Sequence, residues 1–256
     1  MPWFQNIKTL AHSSFTFALV VLLGFSHLTL AETTQLNVLV RSVDSKFIGS
    51  GVGGLNVTIT DDQTGKLLAQ GAISGATGDT QALMKTGQTR GHSTVTDDSA
   101  QLQATLDIDK PTRVAIRVTG PLSVAQSVQT LSATTWVVPG RDQTRPGVVL
   151  HMPGLITELI DYKREGKSIT LTTQVTMMCG CPITGDGLWA ADDFKVVAQL
   201  YQAGERLTQN ALAFTGETNI FAGRIKVPQS GASKLVIYAY QESTGNTGVY
   251  EQALTE

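Results

Sequence analysis

The chain has 256 residues, with 19 Lys and Arg against 21 Asp and Glu and a formal net charge of −2. A balance this close to neutral argues against a nucleic-acid binder or a polybasic membrane-surface protein, both of which need a marked positive excess. With 41% hydrophobic residues there is enough apolar material for a core, and the abundance of Thr, Val, Gln and Gly favours strands and turns over helices.

The first element in the chain is a leader. Lys8 precedes an apolar run from Phe15 to Phe25. That run has the length of a signal-peptide core and is too short to cross a bilayer, which needs about 20 apolar residues. Thr29 and Ala31 are the small residues at −3 and −1, so cleavage is expected after Ala31. An uncleaved anchor ending near Leu30 is the alternative, disfavoured by Ser26 and His27. No Cys lies near the cleavage site to take a lipid, and no later stretch is long and apolar enough to span a membrane. Residues 1–31 are thus read as a signal peptide. The mature chain has no transmembrane segment, and its location is the periplasm or the medium. Loss of Lys8 with the leader leaves 18 basic and 21 acidic residues, a charge of −3.

Alternation of apolar and polar residues then marks strand after strand, with turn residues between. The first half offers Leu36–Val40, Val57 with Ile59, the turn Asp61–Gly65 with a return at Lys66–Gln70, Gln101–Ile108, Thr112–Thr119, Val124–Leu131, Thr134–Val138 and Val148–His151. Between Gly71 and Ser99 the pattern lapses into a long Gly- and Thr-rich loop, and loops of this length are usually functional or mobile. The second half starts near Leu155. It offers Ile169–Val175, Phe194–Leu200, Ala211–Phe214, Ile220–Val227, Leu235–Tyr240 and Gly248–Ala253, with turns at Gln229–Gly231 and Ser243–Asn246. Helical periodicity is weak throughout, and Ala190–Val197 is the best short helix or turn. The fold class is all-β: two β-sandwich domains in tandem, 32–153 and 154–256, divided at Pro153-Gly154, with one larger sandwich as the alternative.

The segment Gly53–Asp61 followed by Thr64-Gly65, Gly71 and Gly78 (strand, acidic Thr-Gly turn, returning strand, Gly-rich loop) resembles the carboxypeptidase-regulatory-like and transthyretin-like sandwich modules of bacterial exported proteins. Gly223–Pro228 and the closing strand Leu235–Tyr240 resemble immunoglobulin-like modules. These resemblances imply sandwiches used for display or binding, and no catalytic residues. Hydrolases related to transthyretin use His and Arg clusters, and the two His of the mature chain, His92 and His151, lie far apart in sequence.

Met177-Met178-Cys179-Gly180-Cys181-Pro182 is the cluster with chemistry in it. Period-two parity from Ile169 puts Met177, Cys179 and Cys181 on the core side of a strand, with Met178 facing the other way and Pro182 ending the strand. Three readings stay open. The Cys and Met could be soft core residues. Cys179 and Cys181 could form a tight disulfide, which Gly180 would permit. Or Cys179 and Cys181 as thiolates, with Met177 and Met178 as thioethers, could form a Cu(I) site, since soft sulfur ligands select that ion.

Other features have plainer explanations. Gly49–Gly54 precedes a strand rather than a helix and lacks a phosphate-binding ending. Asp61-Asp62 and Asp97-Asp98 are solvated turn acids, and Asp192-Asp193 near Trp189 is a surface turn rather than a glycosidase pair. Trp136 and Trp189 are expected in a core or interface. Tyr238 and Tyr240 share a strand face that Tyr250 could join. No Ser-His-Asp set can be assembled, so no enzyme activity is expected. The reading is an exported binding or accessory protein whose Cys-x-Cys site takes Cu(I) or forms a redox-sensitive disulfide. The alternative is a structural or adhesive module for a protein or glycan partner, with the Cys pair only a staple.

Overall fold

The structure is a computed structural model describing residues 32–87, 89–229 and 231–254; the expected leader and its cleavage site lie outside them, as does Ser230 of the expected Gln229–Gly231 turn. The described residues pack as one compact all-β unit. Seven strands precede Pro153: β1 (Glu32–Ser42), β2 (Leu55–Asp61), β3 (Leu67–Ile73), β4 (Leu102–Ile108), β5 (Thr112–Gly120), β6 (Gln129–Val137) and β7 (Gln143–Met152). Seven follow it: β8 (Leu155–Glu165), β9 (Ser168–Met177), β10 (Phe194–Gln202), β11 (Glu205–Phe214), β12 (Ile220–Lys226), β13 (Lys234–Gln241) and β14 (Thr247–Ala253).

In the first half β4-β1-β7 form one sheet and β3-β2-β5-β6 another. Both read as half-buried strands. Ala104, Leu106 and Ile108 on β4, and Val114, Ile116 and Val118 on β5, are buried while the residues between them face outward. β1 is the exception, since every residue from Leu36 to Val40 is buried. It is a central strand covered on both faces, by the core on one side and by the long loop on the other. The Asp61 turn forms as expected: Asp61 Oδ1 accepts from the backbone N–H of Gln63 (2.8 Å) and Thr64 (2.9 Å), the Asx pattern that makes Asp a turn residue.

The second half is one sheet in the order β14-β13-β10-β11-β12-β9-β8. β11 carries the chain between two layers. Residues up to Leu212 pair with β10, and Ala213 and Phe214 pair with β12. The ends of the sheet then meet, for Gly248 of β14 lies so close to Thr157 and Leu155 of β8 that a Cβ would collide with both. No ladder among the described residues joins strands from the two sides of Pro153-Gly154.

Two expected elements differ. Val124–Leu131 and Thr134–Val138 are a 3-10 turn, Ala125–Ser127, followed by the single strand β6, because nothing in Ser132-Ala133 breaks a ladder that holds β6 to β5 from Gly120↔Gln129 to Thr112↔Val137. β11 begins at Glu205, six residues before its expected start; its largely polar front, Glu205 to Asn210, is mostly exposed, so only its pairing with β10 makes it a strand.

Candidate functional site

A bulge in β7 shapes the most developed concave region. In the parallel β1–β7 ladder, Leu36 pairs with Gln143 and Val38 with Val148, so Asn37 alone faces Thr144–Gly147. Extra residues on one strand bend it and re-aim its side chains. Gly147 has φ 85° and its Cβ position lies 2.6 Å from the Asn37 carbonyl oxygen, so only glycine fits. Asn37, itself buried, braces the bulge by donating from Nδ2 to Thr144 O (3.4 Å) and Gln101 Oε1 (2.8 Å). The result is an exposed Arg145-Pro146 step.

The loop that follows β3 folds over the same face. Its path is pinned by Phe47 N donating to Thr77 O (3.1 Å), Lys46 Nζ to Thr80 Oγ1 (3.1 Å) and Arg41 Nη2 to Leu83 O (2.8 Å), within and beside a five-residue π-helical turn, Gln81–Lys85. Leu83 and Phe47 are buried beneath it. Between loop and strands lie two adjoining cavities that share Ser93, Val95 and Arg145. The first, about 530 Å³, is walled by the amides of Gln35, Asn37, Gln101 and Gln103, the hydroxyls of Thr96 and Thr144, and the carboxylate of Asp97. The second, about 680 Å³, holds Arg41, His92, Arg145 and His151 beside Phe47 and Pro146. Arg41 and His151 are register partners in the β1–β7 ladder, which puts both side chains on one face.

Arg41 is the anchor of the second cavity. Its Nε donates to Ser45 O (2.8 Å), and its Nη1 has no hydrogen-bond partner among the described residues. Burial lowers its pKa, opposed by the charge of Asp44, but a guanidinium stays protonated through any such shift. Neither Arg41 nor Arg145 has a carboxylate within 4.0 Å among the described residues. Sequence distance had set His92 and His151 apart; the fold brings both to one cavity. No third His, Cys, Asp or Glu joins them as a metal site would need, among the described residues. Two signals in the sequence bear on this site: the lapse of strand pattern at Gly71–Ser99, and Pro146 within the run that became β7.

The Met-Met-Cys-Gly-Cys-Pro cluster has a different setting. β9 ends at Met177, five residues before Pro182, and the chain turns back with Gly180 N donating to Met177 O (2.7 Å) and Met177 N to Cys181 O (3.2 Å); Gly180 takes φ 76°. Parity therefore stops at Met177. Met178, expected to face away from the core, is as buried as Met177, because it packs where the two halves meet, beside Gly154. Cys179 and Cys181 are joined in a disulfide and almost fully buried. Of the three readings, the structure realises the disulfide. Sulfurs bonded to each other are not thiolates, so the expected Cu(I) set of Cys179, Cys181, Met177 and Met178 would first need that bond reduced.

This disulfide forms one wall of a socket for the turn after β1. Asp44 sits at φ 55°, a conformation that Asp tolerates better than most residues. Its carbonyl accepts from Trp189 Nε1 (2.8 Å) and its Oδ2 from Gln241 Nε2 (2.9 Å). Val43 O accepts from Asn246 Nδ2 (3.2 Å), and Ser45 Oγ donates to Cys179 Sγ (2.8 Å), a disulfide sulfur having no proton to give. Trp189 is thus an interface residue as expected, but Trp136 is 55% exposed, because β6 alternation turns it outward opposite Arg113. Tyr250 pairs with Ile237 and so lies on the face opposite Tyr238 and Tyr240.

No family model matches the chain, and no curated protein matches it. Among solved structures it is similar to a DUF3823 family protein from Bacteroides ovatus ATCC 8483, at 11% identity over 86% of this chain and 97% of that one, with a TM-score of 0.31. It is also similar to a "putative carbohydrate binding protein" from Bacteroides uniformis ATCC 8492, at 10% identity over 87% and 99%, with a TM-score of 0.29. Overlays this loose identify neither family nor ligand.

Proposed function

We propose that this is an exported, non-catalytic binding module that takes a saccharide in the cleft between the β4-β1-β7 sheet and the loop over it, with Cys179–Cys181 a structural staple. The observation that supports this reading is the amide and hydroxyl lining of the 530 Å³ cavity. A sugar hydroxyl both donates and accepts, and a carboxamide offers both functions in one plane. Asn37 and Gln101 are already oriented by their mutual hydrogen bond, so little side-chain entropy is lost when a ligand meets them. Export rests on the leader sequence at residues 1–31.

The test is a glycan array on the purified protein, followed by calorimetry on any hit with Gln101→Ala and Gln103→Ala. Binding that weakens about tenfold per lost bidentate contact, roughly 1.4 kcal/mol, is expected. Absence of any saccharide binding, or affinity indifferent to both substitutions, overturns the reading.

A further inference from the structure

We infer that the second cavity makes the cleft selective for an acidic saccharide, one bearing carboxylate or sulfate groups; this rests on the saccharide reading above and adds the ligand's charge to it. The lining of that cavity contains two Arg and two His and no Asp or Glu. The nearest acids in neighbouring cavities, Asp97 in the amide-rich one and Asp79 in a smaller one of about 210 Å³ that also touches His92, do not line it. In a protein whose Asp and Glu outnumber its Lys and Arg, two Arg beside two His in a cavity lined by no carboxylate is a local reversal of that balance.

The donors are also arranged for use. Arg41 is held rigid by backbone carbonyls through Nε and Nη2, which leaves its Nη1 edge for a ligand. Its hydrogen-bonding edges are braced by neutral acceptors, and although the charge of Asp44 acts on it, no carboxylate among the described residues lies within 4.0 Å to take its remaining edge. Arg145, raised by the β7 bulge, stands where the two cavities join. A saccharide whose hydroxyls meet Asn37, Gln101 and Gln103 would therefore place an adjacent acidic substituent against Arg145 and Arg41. A guanidinium fork meets the two oxygens of a carboxylate, or two of the tetrahedral oxygens of a sulfate, in a bidentate pair, and charge-assisted contacts are about twice as strong as neutral ones.

The experiment is calorimetry with three oligosaccharides of matched length, one carboxylated, one sulfated and one neutral, on the wild-type protein and on Arg145→Ala, Arg145→Lys and His92→Ala. At least a tenfold preference for the carboxylated or the sulfated ligand over the neutral one is expected. Arg145→Ala should abolish most of that preference, and Arg145→Lys should keep part of it. The larger preference of the two identifies the acidic group. Arg145 is exposed, so an unchanged urea midpoint is expected to show that the variants are folded. Equal binding of acidic and neutral ligands, or a preference that survives Arg145→Ala, overturns the inference while the saccharide reading stands. Failure of all three ligands, with an acidic peptide bound instead, overturns both.

Discussion

One short stretch of chain, Arg41 to Phe47, contributes to two regions built on opposite principles. Its turn enters the junction socket, where Val43 O, Asp44 O, Asp44 Oδ2 and Ser45 Oγ are each hydrogen-bonded to Asn246, Trp189, Gln241 or Cys179. Its ends, Arg41 and Phe47, line the cleft, where Arg145, Gln103, His92 and His151 make no side-chain hydrogen bond among the described residues. A buried polar group left without a partner is expensive; these four atoms of the turn have theirs, although Ser42 Oγ in the same stretch has none. Polar groups in an open cleft are held by water and can exchange it for a ligand. Chemical distinctiveness in sequence marked the junction, whereas the accessible, uncommitted groups are in the cleft.

The sharpest way to break this comparison is at the junction. Trp189→Ala removes a 5%-exposed indole and leaves the Asp44 carbonyl without its donor. A loss of about 3–5 kcal/mol is expected from cavity formation, read as a fall in the urea midpoint at unchanged slope. Cleft substitutions at Arg145 or Gln103 should stay within about 0.5 kcal/mol, as exposed positions do. A Trp189 variant as stable as wild type would mean the socket does not hold the molecule together.

Much of the scaffold was legible because period-two alternation is a local signal: β2, β4, β5, β9, β10 and β13 lie where their apolar residues alternate. Their burial needs only one covered face. β1 was found for the same reason, but that its outer face is covered was not, since burial by a distant loop leaves no periodic trace. The cleft was least legible. Its residues come from β1, β4, β7 and the loop, and the bulge that aims Arg145 is a relation between two strands, visible only as Pro146-Gly147 in one of them. The Cys cluster was conspicuous as a motif, yet whether its sulfurs are ligands or a bond depends on what surrounds them.

The next test sharpens that second point. Cys179→Ala with Cys181→Ala opens a loop only two residues in span. Small loops gain little from closure, so about 1–2 kcal/mol of stability should be lost by the chain-entropy relation, with saccharide affinity per folded molecule unchanged. The same urea shift should appear on adding reductant to wild type and be absent from the double variant. If the reduced wild-type protein instead takes up one equivalent of Cu(I) and regains stability, the sulfurs are ligands and not a staple.

The smallest effect lies beside the junction at Asp193. Burial opposes its ionisation, but hydrogen bonds from the Ser243 hydroxyl, from Gln241 and from the Ser243 backbone, together with the charge of Lys195, outweigh that and hold its pKa below the ordinary carboxylate value. A carboxylate depressed in the folded state contributes stability above the unfolded pKa, near 3.9, and that contribution fades as pH falls through the lower folded value. Asp193 is partly solvated, so water screens the effect and well under 1 kcal/mol is expected. Urea midpoints followed from pH 6 to pH 2.5 should fall less steeply for Asp193→Asn than for wild type, the two curves converging at the acid end. The same substitution keeps an acceptor for Ser243 and leaves Gln241 bonded to Asp44 Oδ2, so a large loss at neutral pH would mean that the Gln241 network, rather than the Asp193 charge, is what steadies the socket.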